Sequence, residues 1–315
     1  MFKFDYALMD AQWILTRNHS VAMNNFDPYN PNYPKQLTWS TLSSIFKIAS
    51  EFEIGKIILV FDTPPYHKLL FLDEYKQGRP YVTMEEAEEI EDPKERETQK
   101  RIAQGFIRRK EVKDILENLD KVALPALYHQ GWEADDLVYL LSWKLHELGK
   151  TSVLISVDSD WQYWVSPSSS VYNPQADLIY TYEECKILNG LTSEDSLFEF
   201  KSLFDSFYAS HNGLYRTIKE ELVELDCHEV IKNYRKGDLN LFDNYELFKK
   251  QLKSFDFKSY PEYSTVEKLV NASATAGTVP SLGKVEELGL ALGIDMNIKR
   301  FSHYLDNLNP NLFEG

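Results

Sequence analysis

The chain has 315 residues, which is enough for two domains or for one domain with a large appendage. Acidic residues outnumber basic ones 49 to 34, so the net charge is −15 and a protein that is basic over its whole surface is excluded. Hydrophobic residues make up 43% of the sequence, which predicts a packed core and little long disorder.

The two cysteines, Cys185 and Cys227, are too few for a disulfide framework or a zinc cluster. They indicate a reducing compartment, and we predict a cytoplasmic location. The first ten residues carry no secretory signal. The longest apolar run, residues 57–61, is far shorter than the ~18 residues of a membrane span, so no membrane association is expected.

Three short apolar runs each end in an aspartate, namely Asp10, Asp62 and Asp158. Runs this short and rich in Val and Ile are typical of buried strands, and the intervening segments are long enough for crossover helices. Apolar spacing predicts helices over residues 39–52 and 137–148, the second closed by Gly149. The pattern predicts an α/β fold with a mostly parallel central sheet flanked by helices.

In open α/β sheets, functional groups collect beyond the carboxyl ends of the strands. The three aspartates are therefore expected at one edge of the sheet. An aspartate after a strand also serves as the N-cap of the next helix, and for any single strand that is the simpler interpretation. Three strands that all end this way favour a functional site.

The segment from residue 64 to 113 forms an insertion with separated charges. Residues 85–92 hold six acids, and residues 94–113 hold eight bases and three acids. Such runs are commonly solvated helix faces. The basic stretch also contains Phe106, and bases interleaved with aromatics suit a surface that binds phosphates and stacks bases.

Beyond about residue 192, strand signals fade and helical spacing dominates, as in residues 215–232 and 262–270. We therefore predict an α/β domain over residues 1–190, which includes the 64–113 insertion. A helical carboxyl-terminal, DNA-binding region is predicted over residues 191–315.

The most informative segment is Gly131-Trp132-Glu133-Ala134-Asp135-Asp136, directly before an apolar helix. The helix dipole favours acids in a first turn, but three acids in four positions exceed what a cap needs. With Asp10, Asp62 and the Asp158-Ser159-Asp160 segment, seven carboxylates are predicted at one end of the sheet. Their mutual repulsion requires cations, and an oxygen-only ligand set indicates Mg²⁺ or Mn²⁺. Two such ions would support phosphodiester hydrolysis.

The order of these motifs resembles that of the 5′-nuclease family, which includes flap endonucleases, polymerase-associated 5′-3′ exonucleases and bacteriophage ribonuclease H and exonuclease proteins. The resemblance covers about residues 5–185 and implies a PIN-like domain with a helical arch over residues 64–113. It implies direct or water-mediated ligands of a first metal at Asp10, Asp62, Glu133, Asp135, Asp158 and Asp160. Asp136 matches a carboxylate placed toward a second metal.

The segment Tyr75-Lys76-Gln77-Gly78-Arg79-Pro80 is similar to the family's Tyr-Lys-x-x-Arg-Pro motif. The resemblance implies that Lys76 and Arg79 reach the scissile phosphate and act catalytically. We assign candidate nucleic-acid-binding roles to Arg17, Lys68, Tyr75, Arg101, Arg108 and Arg109.

The sequence departs from the family in the segment 201–212, where the family carries Gly-Asp-x-x-Asp-Asn. Asp205 matches one metal-site aspartate, but His211 stands where the second is expected before Asn212. The glycine-rich hairpin that follows in the family is not recognisable here.

The resemblance implies a Mg²⁺-dependent 5′-nuclease that removes 5′ flaps or RNA primers, with DNA bearing single-stranded 5′ ends and RNA-DNA hybrids as substrates. A single-strand-binding protein or a sliding clamp is a candidate partner, and a phage-encoded protein would act in the host cytoplasm. Two alternatives stay open: a nucleic-acid-binding or assembly protein with weakened catalysis, and a single-strand ribonuclease of the broader PIN-like kind.

Overall fold

The computed structural model of the protein describes residues 2–64, 67–70, 82–119, 123–210, 228, 231–232, 235–236, 250, 253–254, 256–275, 281–294, 302 and 305. Within this part of the chain, no helix combines the length and the hydrophobicity needed to cross a membrane.

The central sheet has six strands in the described residues, in the order β3-β2-β1-β4-β5-β6. The strands are β1 Lys3–Asp10, β2 Glu53–Val60, β3 Ala126–Leu127, β4 Ser152–Ile155, β5 Ser169–Asn173 and β6 Leu178–Thr181. The pairs β1-β2, β2-β3 and β4-β5 are parallel, and β6 runs antiparallel to β5. The predicted α/β fold with a mostly parallel sheet flanked by helices is confirmed.

The helices connect and flank these strands. They are α1 Ala11–Asn25, α2 Tyr33–Ala49, α3 Met84–Glu88, α4 Pro93–Leu116, α5 Ala134–Glu147, α6 Tyr182–Leu188, α7 Leu197–Ser210, α8 Tyr263–Thr275 and α9 Leu282–Leu292. Short 3₁₀ helices cover Lys68–Leu70, Ser159–Tyr163 and Phe257–Ser259. Helix α2 begins before the predicted residue 39 because Pro34 in its first turn fixes a backbone angle suited to a helix start.

The chain divides into two compact units, each built from separate stretches of sequence. The first contains Met1–Phe61, Lys76–Tyr128 and Thr275–Gly315, and the second contains Asp62–Tyr75 and His129–Ala274. The boundary near residue 190 stays a prediction.

In the first unit, helices α1, α2 and α4 pack against one another. Helix α4 contributes the buried residues Ala103, Gly105, Val112 and Leu116. The charged run from residue 94 onward is therefore a helix with one buried face and one charged face, as the solvated-helix interpretation expects. In the described part of the predicted arch, α3 and α4 are helical, whereas residues 65–66 and 71–81 lie outside the described residues.

In the second unit, an aromatic core lies under the start of α5. Trp132 packs against Phe257 and Tyr260, with ring centroids 5.7 and 5.2 Å away. Tyr139 of α5 lies 5.7 Å from Phe257 and 5.9 Å from Trp164. These contacts fix the first turn of α5, where three of the predicted acids lie.

Candidate functional site

The ammonium group of Lys68 lies between two buried carboxylates. Its Nζ is 2.5 Å from Oε2 of Glu133 and 2.8 Å from Oδ1 of Asp136. The three side chains are 4%, 3% and 2% exposed. Buried charges of this kind depend on one another, because removing one partner leaves the other uncompensated. The chain thus provides its own cation for two of the seven predicted carboxylates.

A second lysine links two further acids of the second unit. Nζ of Lys201 lies 2.5 Å from Oδ1 of Asp205 and 2.9 Å from Oδ2 of Asp160. Lys201 and Asp205 are one turn apart on α7, while Asp160 belongs to the 3₁₀ helix that follows β4. The ammonium group therefore connects two elements that are distant in sequence.

Asp135 lies within electrostatic range of several of these groups. Burial raises its pKa well above the ordinary value; Lys68 lowers that pKa, and the charges of Glu133, Asp62 and Asp160 raise it further. The pKa of Asp205 is also raised, first by burial, against the opposing charge of Lys201. We call the following residues the carboxylate–lysine cluster: Asp62, Lys68, Glu133, Asp135, Asp136, Asp160, Lys201 and Asp205.

Several of the acids also serve as helix caps. Asp10 accepts a hydrogen bond from the backbone N–H of Trp13 at 2.8 Å, and Asp158 accepts one from that of Asp160 at 2.9 Å. Oδ2 of Asp136 accepts from the backbone N–H of Glu133 at 3.1 Å. The simpler N-cap interpretation is therefore correct for Asp10 and Asp158, while Asp136 is the third helical residue of a capping box whose N-cap is Glu133.

Backbone contacts bring Asp62 to the start of α5. Oδ1 of Asp62 accepts a hydrogen bond from the backbone N–H of Ala134 at 2.8 Å. The hydroxyl of Thr63 lies 2.7 Å from the carbonyl oxygen of Trp132 and 2.8 Å from that of His129. The loop after β2 is thereby held against the loop before α5.

Gly131 is required where these two loops meet. Its φ of +89° is strained for other residues, and a Cβ placed there would lie 2.7 Å from Nε2 of His67. The His67 ring in turn packs 5.7 Å from Trp132 and 5.4 Å from Tyr260. Because His67 precedes Lys68, this packing helps to place the Lys68 ammonium group.

The structure thus brings together six of the eight predicted metal ligands, those in the carboxylate–lysine cluster. Asp158 lies two residues from Asp160 and caps the same 3₁₀ helix. Asp10 lies in the first unit at the carboxyl end of β1, opposite Val60 of β2, and is 9% exposed. In the described residues, no group of three or more His, Cys, Asp or Glu side chains is arranged to hold a metal ion. Metal binding by these acids stays a prediction.

Four predicted nucleic-acid-binding arginines lie in the first unit. Arg17 is exposed, with its guanidinium 5.9 Å from the centre of the Trp13 ring. On α4, Arg108 pairs with Glu111 at 3.0 Å, and Arg101 donates to the carbonyl oxygen of Met23. The guanidinium of Arg109 lies 4.1 Å over the Phe106 ring, and burial lowers the pKa of Arg109.

Lys68, the fifth predicted basic contact, is buried against two carboxylates instead of exposed. Tyr75 and the predicted catalytic residues Lys76 and Arg79 lie outside the described residues, as do His211 and Asn212.

Lys201 is not among the site residues predicted from the sequence. Its spacing to Asp205, Lys-x-x-x-Asp, is that of a helical ion pair and could have indicated the contact. The role of Tyr260 had no local signal, because Tyr260 is 128 residues from Trp132 in the chain.

Comparison with known proteins gives the family. Residues 5–190 match the family described as the 5′-3′ exonuclease, N-terminal resolvase-like domain. The chain belongs to this family. The match covers the residues that supply seven of the eight predicted metal ligands, and the predicted family resemblance is confirmed. No curated protein matches the chain.

Solved structures of a bacteriophage T5 protein share the fold of this family member. The T5 D15 protein co-crystallised with metal ions superposes with a TM-score of 0.53 and is 16% identical, over 96% of this chain and 98% of that one. The T5 D15 flap endonuclease in a complex with DNA and metal ions has a TM-score of 0.50, with the same identity and coverage. The T5 5′-exonuclease with bound zinc gives the same values. At this identity the likeness establishes the fold.

Proposed function

We propose that this protein is a divalent-metal-dependent 5′-nuclease that cleaves phosphodiester bonds near single-stranded 5′ ends. Its substrates would be DNA with 5′ flaps or free 5′ ends, and the RNA strand of RNA-DNA hybrids. A single-strand-binding protein or a sliding clamp is the partner we propose in replication or repair, within the cytoplasm.

The observation that carries the proposal is the carboxylate–lysine cluster. Carboxylates from four separate stretches of the chain lie within electrostatic range of one another. Burying these groups and bringing their like charges together costs free energy. The raised pKa values of Asp135, Asp136 and Asp205, each caused first by burial, express that cost. Clusters of perturbed acids are characteristic of functional sites.

The donor chemistry of the cluster fits a hard divalent cation. All its candidate ligands are carboxylates, and Mg²⁺ and Mn²⁺ prefer oxygen ligands. We propose that Asp62, Glu133, Asp135 and the Asp158/Asp160 segment hold a first ion, and that Asp136 and Asp205 face a second; Asp10 stays a predicted ligand. When bound, such ions supply an activated water and stabilise negative charge on the phosphate.

The chain's own cations would complete the site. We propose that Lys76 and Arg79 place and neutralise the scissile phosphate, as the family motif implies. The arginines of α4 would bind the backbone of the single strand, since arginine recognises phosphate oxygens well. Tyr75 would stack on a base.

A second candidate function is a nucleic-acid-binding or assembly protein with weakened catalysis. The observation that favours it is the pairing of Lys68 and Lys201 with four of the carboxylates. An ammonium group that stays between two carboxylates competes with a metal ion for them.

A cleavage assay separates the two functions. The purified chain is incubated with 5′-labelled flap, nicked, hybrid and single-stranded RNA substrates, with Mg²⁺, with Mn²⁺ or with a chelator. The proposal expects metal-dependent products that require a free 5′ end. Binding without cleavage at any metal concentration would favour the second function, and cleavage of RNA regardless of its 5′ end would contradict the 5′-nuclease proposal.

A further inference from the structure

Lys201 lies between two of the predicted metal ligands, Asp160 and Asp205. Its Nζ contacts one oxygen of Asp160 and one of Asp205, at 2.9 and 2.5 Å. Its side chain is 7% exposed, against 31% for Asp160 and 22% for Asp205. The lysine is thus the most buried member of the trio, and the two carboxylates are turned toward it.

The surroundings hold Lys201 in this position. It lies one helical turn before Asp205 on α7, a spacing at which side chains meet without strain. Its Nζ also lies 5.7 Å from the centre of the Tyr163 ring, on the 3₁₀ helix that carries Asp160. The ammonium group is therefore fixed by both elements.

A divalent ion between the same carboxylates would need the same space. One oxygen of each carboxylate that would hold such an ion now contacts Nζ of Lys201. Two cations cannot share that space, because their charges repel. Binding of the ion and pairing of the lysine exclude each other.

We infer that Lys201 is a resident cation of the Asp160–Asp205 pair, so that a divalent ion gains both carboxylates only when Lys201 leaves the pair. This inference rests on the proposed function, since it concerns the ions of the same cluster. It makes the ion faced by Asp205 the weaker of the two proposed ions, because Lys201 competes for its ligand.

The test is a Mn²⁺ titration of the full chain, followed by calorimetry and by electron paramagnetic resonance. We expect the wild type to show one tight site and a second at least tenfold weaker. Lys201→Met removes the competing charge and should tighten the second site about tenfold or more, so that the spin-coupled signal of paired Mn²⁺ ions appears at lower Mn²⁺ concentration. Lys201→Arg keeps the charge and should behave as the wild type.

The same titration can also contradict the inference. Two equally tight sites in the wild type, or no change in the second site of Lys201→Met, would overturn the inference. If the Lys201→Met variant folds only in the presence of metal, it is refolded in buffer that contains Mn²⁺. The Mn²⁺ ions that each chain retains after gel filtration are then counted. Two per chain, against one in the wild type, support the inference, and one in both contradicts it.

Failure of the inference and failure of the proposed function give different outcomes. A wild type that binds no Mn²⁺ and cleaves nothing contradicts both. A wild type that binds Mn²⁺ and cleaves 5′ ends, with a Lys201→Met variant that has identical Mn²⁺ affinities, contradicts the inference alone.

Discussion

Lys68 Nζ and Glu133 Oε2 lie 2.5 Å apart between side chains that are 4% and 3% exposed. Because Asp136 also contacts this nitrogen, the loop after β2 and the first turn of α5 share a single buried positive charge. Loss of that charge would leave two buried carboxylates without this compensating cation.

Lys68→Met should therefore lower the free energy of unfolding by about 3–5 kcal/mol in metal-free buffer, since two buried carboxylates lose their partner. Added Mg²⁺ should restore part of the loss if a metal can replace the ammonium charge. Urea unfolding with and without Mg²⁺ measures both effects. Lys144→Met, which removes a partly exposed pair with Glu147, is the control and should cost below about 1 kcal/mol. Equal losses in the two variants would contradict the buried-charge argument.

Asp135→Asn should reduce metal-dependent cleavage by about 100-fold or more, because it removes a carboxylate from the proposed metal site. Its melting temperature should stay the same or rise, since repulsion with Glu133 and Asp62 is relieved. Glu183→Gln changes another first-turn acid, at the exposed start of α6, and should leave cleavage unchanged. Full activity of Asp135→Asn would exclude this residue as a ligand.

Gly131→Ala should destabilise the protein more than Gly149→Ala does. Both glycines have positive φ, +89° and +68°, so both variants bear a backbone cost of about 1–2 kcal/mol. Only at Gly131 would the new Cβ also strike a side chain, the ring of His67 at 2.7 Å, whereas Gly149 has open space. Thermal melting and cleavage rates should show the additional loss, and indistinguishable variants would mean that the His67 ring moves aside freely.

Because of His19, the free energy of unfolding should fall as the pH drops from about 6.5 to about 4. Burial, with a further contribution from Arg109, lowers the pKa of His19 to about 4, against 6.5 as its ordinary value. The unfolded chain therefore takes up a proton before the folded chain does, which favours unfolding at lower pH by roughly 2–3 kcal/mol in total.

The measurement for His19 is urea unfolding between pH 4 and 7. His19→Gln should flatten the pH dependence in that window, and His146→Gln, which removes a histidine from the second unit, serves as the control. A His19→Gln variant whose unfolding free energy varies with pH as steeply as that of the wild type would show that other groups cause the effect.

The sequence predicted the elements whose signals are local. Short apolar runs are typical of buried strands, so the sequence predicts β1, β2 and β4 and the acids that follow them. Strand β5, Ser169–Asn173, was missed because only two of its five residues are strongly apolar or aromatic. Helix α1 was not singled out, since Thr16, Asn18 and Ser20 interrupt its apolar spacing.

The candidate site was predictable in its acids and not in its cations. The carboxylates can be recognised in the sequence by their positions, after apolar strands and in a first helical turn. The spacing of Lys201 to Asp205 is a local signal, but the contacts of Lys68 with Glu133 and Asp136 and of Lys201 with Asp160 depend on which side chains folding brings together. The same holds for Tyr260 and Phe257, which reach Trp132 from a distant segment.

The margins of the sheet have a consequence for handling the protein in solution. In the part of the chain that the structure describes, its two outermost strands are short: β3 has two residues and β6 has four. Another protein chain can pair its backbone with the exposed edge of an outer strand. Strands as short as β3 and β6 offer few unpaired N–H and C=O groups for such pairing. We expect concentrated samples to resist fibril growth by sheet extension.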